Sequence, residues 1–169
     1  MRGEHEAPGP LGDASPFRFA VIVSRFNEAV TTSLRDAAVA ALKEAGAADG
    51  HVQQFSVPGA FEIPQAARAA AESGRFDAIV CLGCIIRGET PHFDYISSAV
   101  AHGITDAAGD TGVPMAFGVL TTDTAEQAAA RSGPGPDNKG REAAAAAIEM
   151  AAFYKSLTGG SNRPFGFRV

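Results

Sequence analysis

A continuous apolar run at Ala78–Ile86 constrains the fold more than any other feature of the chain. A strand that is apolar along its whole length is typical of a parallel sheet with both faces covered by helices. Apolar segments rich in β-branched residues at 17–24, 51–57 and 114–121 predict three further strands. Segments with helical periodicity, or with helix start and stop residues, lie between and after them. The first predicted helix ends at Gly46. The other four cover 64–73, about 90–108, 123–131 and about 140–157.

This alternation predicts an α/β fold, a three-layer αβα sandwich around a four-stranded parallel sheet of flavodoxin-like type. We expect a single domain over residues 17–158. Residues 1–16, rich in Gly, Pro and charge, are predicted to form a flexible N-terminal arm, and residues 159–169 a flexible C-terminal tail.

Composition narrows the function classes. The net charge of −5 and the scattered Arg and Lys residues argue against nucleic-acid binding, which needs a basic face. No apolar stretch approaches the length of a membrane span, and residues 1–16 lack the apolar block of a signal peptide, so we expect a cytoplasmic protein that does not bind membranes. There is no dinucleotide fingerprint, phosphate-binding lysine loop or acidic cluster, and we therefore expect neither a cofactor nor a metal.

Cys81 and Cys84 form a C-x-x-C pair. A redox pair sits at a helix start, and a structural zinc site needs two more ligands at a suitable spacing, but neither context is present. Their odd separation on a strand puts the two side chains on opposite faces. We therefore interpret them as two small buried hydrophobic residues.

Polar and aromatic residues gather where three predicted strands end, at 24–27, 57–62 and 87–92. In open parallel α/β sheets, ligands bind beyond the carboxyl ends of the strands. In the third segment, Thr90 is predicted to cap a helix beginning at Pro91. The helix start, with Arg87 nearby, suits a phosphate group, although an ordinary helix cap with a solvated arginine is an equal alternative.

Three single residues carry the remaining chemistry, each with a plainer alternative. His92, in the first helical turn, suits proton transfer beside a phosphate, because a helix N-terminus disfavours a positive charge; the alternative is a surface histidine. The ring of Phe26 suits one wall of a slot for a flat heterocycle; the plainer alternative is a ring folded back over the core. Glu62 suits binding of polyol hydroxyls, or only favours its own helix start.

In order along the chain, these segments resemble the 6,7-dimethyl-8-ribityllumazine synthase family over about residues 18–153. The resemblance is carried by Arg-Phe-Asn at 25–27, Pro-Gly-Ala-Phe-Glu-Ile-Pro at 58–64, Leu-Gly-Cys-Ile-Ile-Arg-Gly-Glu-Thr-Pro-His-Phe-Asp-Tyr at 82–95, Phe-Gly-Val-Leu-Thr-Thr at 117–122, Asn-Lys-Gly at 138–140 and Ile-Glu-Met at 148–150. It implies condensation of 5-amino-6-(D-ribitylamino)uracil with 3,4-dihydroxy-2-butanone 4-phosphate, with release of phosphate and water, as the penultimate step of riboflavin biosynthesis.

The resemblance also implies a role for each matching residue. His92 would transfer protons and Phe26, next to Asn27, would stack on the pyrimidine ring. The other implied substrate-binding residues are Ala60, Phe61 and Glu62 for the ribityl chain and ring edge, the backbones of Cys84, Ile85 and Ile86 for the uracil, Glu89, Thr90 and Arg131 for the phosphate-bearing substrate, and Phe117 and Lys139. Phe117, Arg131 and Lys139 would come from the neighbouring subunit.

The resemblance further implies self-association into pentamers or a sixty-subunit shell, and association with riboflavin synthase. Residues 132–137 depart from the family pattern, because prolines replace a usual Lys and a second Gly in a segment used for assembly. Three alternatives share the fold: a flavin- or lumazine-binding module without catalysis, a shell protein with a vestigial site, and a different small-molecule phosphate enzyme. The binding module would need neither His92 nor Arg131, and both are present.

Overall fold

The computed structural model describes residues 9–158. Its strands are β1 (Phe19–Ser24), β2 (Val52–Val57), β3 (Ala78–Ile86) and β4 (Met115–Thr122), and its helices are α1 (Glu28–Glu44), α2 (Ile63–Glu72), α3 (His92–Thr111), α4 (Ala125–Arg131) and α5 (Lys139–Leu157). Short 3₁₀ turns precede β2 and α2, at Asp49–His51 and Ala60–Glu62.

The four strands form one parallel sheet in the order β2-β1-β3-β4. One core lies between the sheet and α1, α4 and α5, and a second lies between the sheet and α2 and α3. Alternate residues of β1 and β3 enter the two cores, which explains the apolar run of β3. The predicted αβα sandwich of flavodoxin-like type is therefore confirmed.

The cysteines follow the same alternation. Cys81 lies in the core against α2 and α3, and Cys84 lies in the core against α1 and α5. Burial raises the pKa of the Cys81 thiol to about 12 and that of Cys84 to about 11. Both thiols are thus kept protonated, and the interpretation as buried hydrophobic residues is confirmed.

Helices α1 and α5 approach each other very closely at Gly140. A Cβ atom on this residue would lie 1.9 Å from the carbonyl oxygen of Leu34, so only glycine fits there. A run of five alanines at 143–147 continues the contact, with Ala144 and Ala147 buried. Their small side chains allow the two helices to pack closely.

Most helix and strand boundaries lie within two residues of the predictions, but α3 ends at Thr111 rather than near 108, and the cap at its start differs from the prediction. Thr90 is exposed, Pro91 occupies the N-cap position with no side-chain cap, and the helix begins at His92. The prediction that Thr90 caps a helix beginning at Pro91 is wrong. Pro91 holds ψ near 1°, so it belongs to the turn before the helix and its carbonyl accepts from the N–H of Asp94 at 3.1 Å.

The segments predicted to be flexible fall partly within the described residues. Ala14 is fully buried and Leu11 packs against the core beside α1 and α5. Residues 1–8 and 159–169 lie outside the described residues. Within the described part, none of the helices is both long enough and apolar enough to cross a membrane.

Candidate active site

The β1–α1 turn presents an aromatic ring on a fixed backbone. Phe26 is 72% exposed, so it does not fold back over the core. Asn27 adopts left-handed backbone angles (φ 59°), and its side-chain amide donates to the carbonyl of Cys84 at 2.9 Å. Asn27 thereby joins the turn that carries Phe26 to the end of β3, while Arg25 N–H donates to Val57 O at 2.9 Å and joins it to β2.

The β2–α2 turn adds a second exposed ring and a carboxylate. Phe61 is 56% exposed, and Ala60 beside it is buried. Glu62 Oε2 accepts a hydrogen bond from Gly59 N–H at 2.9 Å, which stabilises the turn before α2. The plainer alternative for Glu62 is therefore observed, and its polyol-binding role stays a prediction.

The β3–α3 turn contributes the remaining predicted groups. Cys84 is buried, and Ile85 and Ile86 are half-buried at the end of β3. Glu89 and Thr90 are exposed in the turn. His92 is exposed at the first position of α3, and its imidazole has no hydrogen-bond partner among residues 9–158. The imidazole is therefore open to solvent, and its role in proton transfer stays a prediction.

These three turns meet at one edge of the sheet because β1, β2 and β3 are parallel. They form what we call the strand-end cluster, which contains eleven predicted site residues: Phe26, Asn27, Ala60, Phe61, Glu62, Cys84, Ile85, Ile86, Glu89, Thr90 and His92. Aromatic faces, a carboxylate and a histidine within one open edge suit a flat, polyol-bearing heterocycle.

The other three predicted residues lie elsewhere. Phe117, Arg131 and Lys139 line a cavity of about 310 Å³ between β4, α4 and α5, and no residue of the strand-end cluster lines this cavity. Phe117 is 47% exposed on the edge strand. Arg131 donates one hydrogen bond, to the carbonyl of Gln127 at 2.9 Å, and Lys139 pairs with Glu142. We call these three residues the edge cluster.

Arg87 does not supply free charge for an anion. Its Nε donates to Asp123 at 2.8 Å, and its two terminal nitrogens donate to Asp94 at 3.3 Å each. Hydrogen bonds from the guanidinium to Asp123 and then Asp94 raise the pKa of Arg87. Two carboxylates offset its single charge, so the expectation that Arg87 attracts phosphate is not supported by its contacts.

Sequence reasoning missed Asp123 as a member of this edge of the sheet. It lies 36 residues from Arg87 and no local pattern links the two. It also gave no role to Tyr95, which is 74% exposed in the first turn of α3.

A further cavity, of about 420 Å³, lies at the amino ends of the strands, where Arg18, Phe76 and Pro114 line it. It contains none of the predicted site residues. Its position at the opposite edge of the sheet argues against a catalytic role, because ligands of such sheets bind at the carboxyl ends.

Fold and strand-end chemistry together define a flavodoxin-like α/β enzyme that acts on small molecules. The family model of 6,7-dimethyl-8-ribityllumazine synthase matches residues 16–155. The 6,7-dimethyl-8-ribityllumazine synthase of Syntrophus aciditrophicus (strain SB) is 50% identical over 144 residues, which cover 85% of this chain and 94% of that relative. The chain belongs to the 6,7-dimethyl-8-ribityllumazine synthase family, and the resemblance seen in the sequence is confirmed.

Proposed function

We propose that this protein condenses 5-amino-6-(D-ribitylamino)uracil with 3,4-dihydroxy-2-butanone 4-phosphate to form 6,7-dimethyl-8-ribityllumazine, phosphate and water. It is an enzyme of the transferase class, acting at the penultimate step of riboflavin biosynthesis. The observation that carries this function is the family match over residues 16–155, which includes every motif of both clusters.

The proposed reaction needs only the two substrates and proton transfer by side chains of the protein. The aromatic amine attacks the ketone and loses water to form an imine, and phosphate then leaves as a proton shifts. The second amine closes the ring with loss of another water. Holding both substrates together supplies much of the rate, with effective molarities of roughly 10⁵ M or more in favourable cases. Proton transfer by a positioned side chain adds on the order of 10²–10⁴-fold.

We assign His92 to proton transfer because it is exposed at the start of α3 and its imidazole has no partner among the described residues. Phe26 stacks on the pyrimidine ring, and its 72% exposure leaves a face free for this contact. The other members of the strand-end cluster hold the ribityl chain and the uracil. Arg131, whose one hydrogen bond goes to an uncharged carbonyl, is the main partner of the phosphate.

Each site needs two copies of the chain. The strand-end cluster and the edge cluster occupy separate parts of one chain, so the edge cluster of a neighbour completes the site. This arrangement closes naturally in a ring, and we propose pentamers, either free or as the units of a sixty-subunit shell. Cytoplasmic location and association with riboflavin synthase are further parts of the proposal, suggested by polar, phosphorylated substrates and a shared pathway.

The activity is tested by mixing the purified protein with both substrates and following lumazine formation by absorbance. We expect product and phosphate in equal amounts. A flavin- or lumazine-binding module would bind the product and form none, and that result would refute the proposed activity.

The shared site has its own test. His92→Ala and Arg131→Ala proteins are prepared separately, dissociated, mixed equally and reassembled. A site is whole only when one chain keeps His92 and its neighbour keeps Arg131, which random mixing gives in roughly one site in four. Activity should recover to about a quarter of wild type. Activity equal to the mean of the two variants would place the whole site within one chain.

A further inference from the structure

Arg87 joins three segments of the chain at the strand-end cluster. Its backbone N–H continues the sheet, donating to Thr122 O at 2.9 Å at the end of β4. Its guanidinium bonds Asp123, in the turn before α4, and Asp94, in the first turn of α3. The guanidinium carbon also lies 4.2 Å from the centre of the Phe93 ring. Arg87 therefore contacts both residues that follow His92.

The start of α3 has little else to fix it. Pro91 provides no side-chain cap, and residues 88–91 are all exposed. A Cβ atom added at Gly88 would meet nothing within 4 Å, so the turn is not packed against the core at that point. Helix ends without caps fray readily. The contacts of Arg87 with Phe93 and Asp94 thus link the turn carrying His92 to the end of β4 and the turn before α4.

Phosphate binding is a poor alternative for this arginine. Its side chain makes three hydrogen bonds to two carboxylates. The group of Arg87, Asp94 and Asp123 has a net negative charge, which repels a phosphate dianion. The planar guanidinium fork, however, suits a fixed geometry between two carboxylates.

We propose that Arg87 is a positioning residue that sets the orientation of His92 by bonding the first turn of α3 to the turn between β4 and α4. The inference rests on the proposed role of His92. Arg87 touches no substrate, and it acts through Phe93 and Asp94 on the position of the imidazole.

The chain offers a closely matched control in Arg68 on α2. Its guanidinium also bonds two carboxylates, Glu72 at 3.2 Å and Asp110 at 2.9 Å. Side-chain exposures are similar, 45% for Arg68 and 43% for Arg87. Arg68→Gln therefore removes an equivalent ion pair away from the strand-end cluster.

The experiment compares Arg87→Gln, Arg87→Lys, Asp123→Asn, the double variant Arg87→Gln/Asp123→Asn, and Arg68→Gln in the assembled protein. We expect Arg87→Gln to lower kcat about tenfold, less than the roughly hundredfold that a 1 Å misplacement can cost. KM for the butanone phosphate should stay within about twofold, and Arg87→Lys should recover part of kcat. The double variant should be no worse than Arg87→Gln, because both changes break one linkage. Arg68→Gln should match wild type.

A rise of about tenfold in KM for the butanone phosphate with kcat unchanged would show phosphate binding by Arg87 and overturn the proposal. Equal effects of Arg87→Gln and Arg68→Gln would show general destabilisation and overturn it as well.

Hydrogen–deuterium exchange provides a readout that does not depend on turnover. Peptides covering residues 87–95 should exchange faster in Arg87→Gln and Asp123→Asn, and at the wild-type rate in Arg68→Gln. If the wild-type protein makes no lumazine but these peptides respond as expected, the proposed function fails while the positioning role of Arg87 in the turn remains. Unchanged exchange in Arg87→Gln refutes the inference whatever the activity.

Discussion

Phe26→Ala tests the aromatic wall of the site with little risk to the fold. Phe26 is 72% exposed, so its removal should change the free energy of unfolding by no more than about 0.5 kcal/mol. A phenylalanine side chain offers about 150–250 Å² for burial, and stacking covers one face, roughly half of the part that Phe26 exposes. At about 25 cal/mol per Å², this burial is worth about 2 kcal/mol.

The stacked geometry adds about 0.5–1.5 kcal/mol. These two contributions sum to about 2.5–3.5 kcal/mol, so we expect Phe26→Ala to weaken binding of the aminouracil roughly 70- to 400-fold. Binding of the butanone phosphate should hardly change, and Phe26→Trp should bind both substrates well. Isothermal titration calorimetry with each substrate separately measures the two affinities.

Phe153→Ala is the control, because Phe153 is 52% exposed on α5 and belongs to neither cluster. It should leave both affinities unchanged. If Phe26→Ala weakened both substrates equally, or the aminouracil by less than about threefold, the stacking argument would be wrong.

The remaining predictions concern His92, the α1–α5 contact and the cysteines. His92→Ala should lower kcat by about 10²-fold, the low end of the range for proton transfer by a side chain, with little change in either KM, as judged by steady-state kinetics, and an unchanged kcat would remove His92 from the mechanism. Gly140→Ala should destabilise the fold by about 1–3 kcal/mol or more in chemical denaturation, because the new methyl group would overlap Leu34 O. Gly109→Ala is the control. It lies at an exposed helix position with nothing within 4 Å of an added Cβ atom, so it should be neutral or slightly stabilising. The raised pKa values of Cys81 and Cys84 keep both thiols protonated in the folded protein, so both should resist iodoacetamide at pH near 8 and react only after unfolding. The protonated, buried thiols favour folding at pH values below the unfolded-state thiol pKa. This contribution to the free energy of unfolding is lost as pH rises toward the pKa values of the folded protein. Rapid native labelling would contradict the described burial.

Elements governed by burial were predictable from sequence. β3 was predicted at its observed bounds, Ala78–Ile86, because a strand buried on both faces cannot carry polar residues. The start of α3 was predicted incorrectly, because Thr before Pro is also a pattern of ordinary turns and local preference differs by about 1 kcal/mol or less between the two. Arg87 makes tertiary contacts there, to Phe93, Asp94 and Asp123, and local sequence preferences do not include such long-range contacts.

Some site residues could likewise be predicted from the sequence, and others could not. The strand-end cluster could be predicted from topology alone, because the residues that follow three parallel strands lie at the same edge of the sheet. Phe117, Arg131 and Lys139 were proposed only through the family resemblance, because a strand, a helix end and a helix start bring them together from distant positions. Their roles in catalysis remain predictions.

The contacts of two arginines support the proposal that two chains share the phosphate site. Arg87 stands at the predicted anion site of the strand-end cluster, but Asp94 and Asp123 offset its charge. Arg131, in contrast, makes its one hydrogen bond to an uncharged carbonyl, and no salt bridge engages it within residues 9–158. A phosphate dianion needs an uncompensated cation close by, and charge-assisted bonds of this kind are among the strongest available. The arginine that we propose to orient His92 and the arginine that we propose to bind the phosphate are therefore different residues, and only Arg131 belongs to the edge cluster. Under the proposed shared site, the edge of one chain meets the strand ends of another, and we therefore expect activity to require assembly.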